Sequence, residues 1–200
     1  MGNSESGGLS PEEGKQLIGL ARKAISYFHA TGNIYASQPP GEKFREKRGA
    51  FVTLKNAEGT LRGCIGLPYP VRELWFATTE AAVSAAFNDP RFKAVKAKEM
   101  DSVLVEISVL SKPEEVEKGK LAESIEVGKH GLIVEKGYRS GLLLPQVAVE
   151  YSWDLEEFLK QTCMKAGLAP NAWKAKETIV KRFSAQVFSE KEPNGEVLES

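Results

Sequence analysis

Ala50-Phe51-Val52-Thr53-Leu54 and Thr60-Leu61-Arg62-Gly63-Cys64-Ile65, separated by Lys55-Asn56-Ala57-Glu58-Gly59, decide the fold class of this chain. Two runs of strand-forming residues on either side of a short loop ending in glycine read as a β-hairpin. Parallel neighbours would need a crossover of a dozen residues or more, so the pairing is antiparallel. The clearest single strand comes later. Val103, Val105, Ile107 and Val109 alternate with Leu104, Glu106, Ser108 and Leu110, and the two leucines predict cover on both faces. Gly131 to Glu135 and Gly141 to Leu144 form a second hairpin turned by Gly137-Tyr138-Arg139-Ser140, and Lys176 to Phe188 reads as a last strand.

Helices fall between and around these strands at unequal spacing. Ser10-Pro11-Glu12-Glu13 supplies an N-cap, a proline at the first helical position and an acid three residues after the cap. Leu17, Leu20, Ala21, Ala24, Ile25 and Phe28 then make one apolar stripe, ended by Thr31-Gly32-Asn33. Tyr35 to Gly49 is polar and predicts a surface connection. Pro68 and Pro70 frame the start of a second, alanine-rich helix from Val71 to Ala86, closed by Asn88-Asp89-Pro90. Asp154 caps a third helix, carrying Leu155, Phe158, Leu159, Thr162 and Cys163 to a stop at Gly167. Without a regular strand–helix alternation, the class is α+β, a mainly antiparallel sheet with packed helices. Residues 1–8 are Gly, Ser and Asn with little else and predict a disordered start. Residues 9–190 make one domain, and 191–200 a loose polar tail.

Composition excludes several function classes. The 27 basic and 27 acidic residues cancel, with a pI near 6.8. That balance gives no general attraction to nucleic acid or to an anionic membrane. No apolar run approaches the ~20 residues that span a bilayer. Two distant cysteines and no apolar leader predict a reducing, cytoplasmic setting. Two cysteines and two histidines without paired spacing predict no metal site. No glycine-rich strand-to-helix loop names a nucleotide cofactor.

Chemistry concentrates in Leu61-Arg62-Gly63-Cys64-Ile65-Gly66. On a strand, Arg62 and Cys64 share one face and Leu61 and Ile65 the other. A guanidinium two residues from a thiol favours the thiolate. Gly63 and Gly66 remove side chains and let a ligand approach, and the helix start near Pro70 offers N–H groups to an anion. His130, between Lys129 and Gly131, is the candidate proton carrier. Arg91 in Asp89-Pro90-Arg91-Phe92 and Gln146 after Pro145 are candidate ligand contacts. The plainer alternatives stand beside these: a buried cysteine as apolar filler, a solvated arginine, a turn histidine, a helix stop at Asp89. Cys163 reads as core and His29 as structural.

The run Leu61 to Gly66 resembles the signature of the AMMECR-one domain family. The resemblance extends through Ala85-Ala86, Asp89-Pro90-Arg91-Phe92, Glu106 to Leu110, His130-Gly131, Leu143 to Ala148, Trp153-Asp154 and Lys165-Ala166-Gly167-Leu168, covering roughly Ser10 to Glu190. After Arg91-Phe92 many relatives carry prolines where this chain has Lys93-Ala94. The resemblance implies two lobes, the larger from both chain ends and the smaller from the middle, with the signature near the cleft between them. It also implies, from fusions among relatives, Memo-like or radical S-adenosylmethionine proteins as partners. It names no reaction. A cysteine-dependent enzyme using Cys64, Arg62 and His130, a binder of a small anionic ligand at Arg62, Gly63, Gly66, Arg91 and Gln146, and a protein-interaction module all remain open at this level.

Overall fold

The computed structural model describes residues 8–36 and 39–199. The disordered start expected over residues 1–8 lies outside that range apart from Gly8. The elements are α1 (Pro11–Thr31), β1 (Gly49–Lys55), β2 (Leu61–Leu67), α2 (Leu74–Phe87), β3 (Leu104–Leu110), β4 (Glu114–Glu115), α3 (Leu121–Ser124), β5 (His130–Lys136), β6 (Arg139–Leu143), α4 (Pro145–Glu150), α5 (Leu155–Lys165), β7 (Ile179–Glu190) and β8 (Val197–Glu199). This is an α+β fold, and every strand pair whose register is described is antiparallel. The chain divides into two compact units. The larger comes from both ends, up to Val109 and again from Gln186, and the smaller is Leu110–Ala185.

In the larger unit the strand order runs β2-β1-β3-β7, with β2 at the edge and β8 on the end of β7. Strand alternation sends Val52, Leu54, Val105, Ile107 and Val109 to one face, each at most 1% exposed. Leu17, Ala21, Ala24 and Ile25 of α1 and Ala77, Ala81, Ala82 and Ala85 of α2 join them in one core with Phe188. The capping box of α1 forms as the sequence predicts: Ser10 Oγ accepts from the Glu13 N–H, and Glu13 Oε2 accepts from the Ser10 N–H. Gly32 ends the helix at φ 70°.

Three expectations are corrected in this unit. The second helix begins at Leu74, not near Pro70, because the chain from Pro68 to Glu73 is tied to the segment before β1. The Arg48 N–H donates to the Arg72 carbonyl, the Leu74 N–H donates to the Glu46 carbonyl, and Lys47 bridges Glu73. The connection before β1 is not wholly at the surface, since a 3-10 turn over Glu42–Arg45 buries Phe44 at 2% exposure. The expected loose tail instead turns back, and Val197–Glu199 pair with Phe188–Glu190.

In the smaller unit β5 and β6 form the predicted hairpin, with Gly137 at φ 60° in its turn. The first part of β7 pairs with β5, and β4 pairs with β7. Leu132, Val134, Phe158, Leu159, Cys163 and Val180 are its core. Asp154 caps α5 through the Glu157 N–H, and Gly167 follows its end at φ 68°. Pro145 does more than end the second hairpin: it opens α4 at its first position.

Candidate functional site

The signature strand β2 has a strand partner on one side only. Cys64 lies opposite Thr53, yet its N–H donates to Asp89 Oδ2 (2.9 Å) and its carbonyl accepts from Arg91 Nη2 (3.2 Å). Both backbone groups of Cys64 therefore point away from β1. Since the pattern repeats every second residue, the N–H and C=O of Gly66 point outward too. Asp89 and Arg91 thus substitute for a missing strand at Cys64, and among the described residues no strand pairs with the edge at Gly66.

The clamp is internally complete. Asp89 is 4% exposed and accepts from the Arg91 backbone N–H, Nε and Nη2 as well as from Cys64. These donors, the Arg91 guanidinium foremost, hold its carboxyl well below the usual carboxylate range. Asp89 and Arg91 are therefore both a helix stop and a strand-edge clamp.

The Cys64 thiol is not activated by Arg62. Burial pushes it up, and the opposing influences, a hydrogen bond from Thr53 Oγ1 (3.2 Å) and the charge of Arg91, are smaller. Arg62 instead forms a two-point ion pair with Glu99 in the 3-10 turn Ala97–Asp101, holding the Glu99 carboxyl below its ordinary range. The guanidiniums of Arg62 and Arg91 lie 5.9 Å and 5.4 Å from the centre of the Phe92 ring. Arg62, Cys64 and Arg91 are thus brought together around Phe92 and Asp89, with both arginines already matched to carboxylates.

The room beside the two glycines is used by the protein itself. A Cβ on Gly63 would lie 2.1 Å from the Ala85 carbonyl oxygen, so the glycine lets α2 press against β2. A Cβ on Gly66 would lie 2.4 Å from the Phe51 ring, which folds across it from the facing strand. Three of the N–H groups at the true helix start are engaged: Leu74 donates to Glu46, and Phe76 and Ala77 donate to the Glu73 carbonyl.

His130 and Gln146 belong to the smaller unit. His130 Nδ1 accepts from the Glu126 N–H (3.0 Å), while the His130 backbone N–H donates to the Glu126 carbonyl. Burial, then Arg182 and Lys129, lower its pKa, so the neutral ring closes a turn with its proton on Nε2. Gln146 is half-buried on α4 between buried Pro145 and Ala148. Both cysteines are free, and Cys163 is buried. Among the described residues no cluster of His, Cys, Asp or Glu has the makings of a metal site, and no helix is long and apolar enough to cross a membrane.

An open pocket of about 450 Å³ lies on the α2 side of the signature strand, lined by Ile65, Gly66, Leu67, Val71, Arg72, Glu80, Ala81 and Ser84. The volume falls within the ~300–1,000 Å³ of small-molecule sites. Ile65 and Leu67 point to the face opposite Cys64, and Val71 and Ala81 complete the apolar part. Arg72 and Glu80 supply opposite charges, with Arg72 Nε 3.6 Å from Glu80 Oε2. Apart from Ile65 and Gly66, these residues carry no motif. The one sequence signal is Glu80, the only charged residue in the helix Leu74–Phe87.

The AMMECR1 family profile matches residues 18–188. Protein MK0488 of Methanopyrus kandleri is 48% identical over 196 residues, covering 96% of this chain and 95% of that protein. Protein MJ0810 of Methanocaldococcus jannaschii is 48% identical over 195 residues, covering 96% of each. The crystal structure of protein PH0010 from Pyrococcus horikoshii has a TM-score of 0.87 at 46% identity, covering 96% of this chain and 98% of that one.

Proposed function

Because this chain belongs to the AMMECR1 family, whose match takes in β2, α2 and the loop between them, we propose that its signature strand builds a binding site for a small ligand carrying a carboxylate or phosphate group. The ligand sits in the pocket between β2 and α2 and is held without covalent chemistry. The signature then acts through the Ile65 and Gly66 side of the strand, while Cys64 and Arg62 fix the strand in place.

One observation carries this reading. Arg72 is the one cation lining the pocket; it is ion-paired with Glu80 at 3.6 Å and shares no hydrogen bond with it among the described residues. Arg62 and Arg91 are hydrogen-bonded to Glu99 and Asp89, with Arg62 Nη1 alone buried and without a partner among the described residues. A planar guanidinium with unused donors, beside the outward Gly66 N–H, offers two directions of hydrogen bonding to one oxyanion. The raised Cys64 thiol and the engaged Nδ1 of His130 give nucleophilic catalysis no support.

Thermal unfolding of the wild-type protein and Arg72→Gln, each with isocaproate and with inorganic phosphate, tests the reading. Binding to the folded state alone adds about 2.7 kcal/mol at a hundredfold excess over Kd, a rise in Tm that is easily read. Arg72→Gln weakens the effective anion at least tenfold, as expected for a hydrogen bond to a charged group worth about 1.5–3 kcal/mol. If neither anion raises the wild-type Tm at tens of millimolar (roughly, by that mass-action relation), the proposal is wrong.

A further inference from the structure

Helix α2 reads Leu74-Trp75-Phe76-Ala77-Thr78-Thr79-Glu80-Ala81-Ala82-Val83-Ser84-Ala85-Ala86-Phe87, and Glu80 is its one charged side chain. An exposed carboxylate that served solubility alone would have company on an exposed face. This helix is largely buried, and Glu80 stands where its surface opens into the pocket, one turn before Ser84. Opposite it is Arg72, 3.6 Å away and sharing no hydrogen bond with it among the described residues. Arg72 also stacks toward the Phe76 ring, 5.8 Å from its centre, which steadies the guanidinium without using its donors.

Two opposite charges 3.6 Å apart line a small pocket and share no hydrogen bond with each other among the described residues. Gly66, whose N–H and C=O face outward from the strand edge, lines the same pocket. The pocket's apolar lining is Ile65, Leu67, Val71 and Ala81. A ligand bearing only an anion would satisfy Arg72 and leave Glu80 facing it at close range. A ligand whose cation and anion are separated by a single carbon satisfies both.

We propose that the pocket recognises a zwitterion, namely a free α-amino acid with a branched apolar side chain. Its carboxylate is held by Arg72 and the Gly66 N–H, its ammonium by Glu80 with the Gly66 carbonyl or Ser84 hydroxyl, and its side chain by Ile65, Leu67 and Val71. The inference rests on the small-ligand reading of this pocket and adds the ligand class. The selectivity follows from the cost of leaving one charge of a matched pair without a partner in a partly desolvated site.

Isothermal titration calorimetry of the full chain with three probes of one carbon skeleton decides it: L-leucine, isocaproate, which lacks the ammonium, and isoamylamine, which lacks the carboxylate. L-leucine binds at least tenfold more tightly than either analogue. Glu80→Gln brings L-leucine down to the level of isocaproate and leaves isocaproate no weaker, and Arg72→Gln weakens both. Far-ultraviolet circular dichroism confirms that each variant is folded. If isocaproate binds the wild-type protein as tightly as L-leucine, the zwitterion inference is overturned while the anion site stands. If isoamylamine alone binds, or no probe gives heat, the zwitterion inference is overturned, and the anion site falls with it unless inorganic phosphate raises the Tm of the wild-type protein.

Discussion

At Cys64 the influences on the thiol oppose one another, and burial outweighs the rest. The folded thiol keeps its proton to higher pH than an unfolded one, whose pKa is about 8.5. Two outcomes follow. Alkylation of Cys64 by iodoacetamide in the native protein is slower than that of a free thiol between pH 7 and 9, and faster reaction would contradict the packing. Stability contributed by the neutral thiol is intact below about pH 8.5 and falls as pH rises beyond it. Asp89 has the opposite sign. Its folded pKa is depressed, so its contribution is present above the unfolded value of about 3.9 and is lost as pH falls below that. Asp89→Asn costs about 1–3 kcal/mol at pH 7 and flattens the acid limb of urea midpoints measured from pH 6 to 2.5. An unchanged acid limb would show that the clamp is not the titrating element. Alternation read from the sequence placed Arg62 and Cys64 on one face. Their actual partners, Glu99 and Asp89, lie 37 and 25 residues away and left no local signal.

For the elements, local grammar and distant ties divide what was legible. The capping box at Ser10, the cap at Asp154 and both hairpins are short-range chemistry, and the sequence reads them directly. Pro68 and Pro70 carry a helix-start signal, yet α2 begins only at Leu74. The backbone there instead pairs with Glu46 to Arg48 across a loop that the sequence does not reveal. Gly63 mattered for a reason its neighbours do not disclose, the approach of the Ala85 carbonyl. Gly63→Ala forces β2 and α2 apart and costs about 1–3 kcal/mol in urea unfolding. Cys64→Ala on the opposite face leaves that approach intact. A neutral Gly63→Ala would contradict the close packing that shapes the pocket wall.

Across the whole molecule, the larger unit depends on chain ends far apart in sequence. Arg22 of α1 donates through Nε and Nη2 to Glu190 at 2.6 Å each and through Nη1 and Nη2 to the Met100 and Val103 carbonyls. Glu190 also accepts from the Val105 N–H. Its side chain is 2% exposed, so removing its charge leaves a buried guanidinium without its counter-ion. Glu190→Gln lowers Tm by roughly 10 °C, from about 3–5 kcal/mol for breaking a buried pair. A chain ended after Ala185 loses both this clamp and Phe188 from the core, and circular dichroism shows no cooperative unfolding of the larger unit. Such a tie, 168 residues long, was invisible to periodicity, whereas the division into two lobes came from family resemblance rather than from spacing. The site was only half legible. Leu61 to Gly66 contributes Ile65 and Gly66 to the proposed pocket, but its charges, Arg72 and Glu80, lie outside that run.

The central claim is that the signature strand serves a ligand through its Ile65–Leu67 side and its open edge at Gly66. Backbone amide shifts in a ¹⁵N-labelled sample titrated with isocaproate test it most directly. Saturable shifts are expected at Gly66 and in the Val71–Arg72 segment, with the Cys64 amide, already bonded to Asp89, little moved. Shifts centred on Arg62 and Cys64, with Gly66 and Arg72 unmoved, would contradict it.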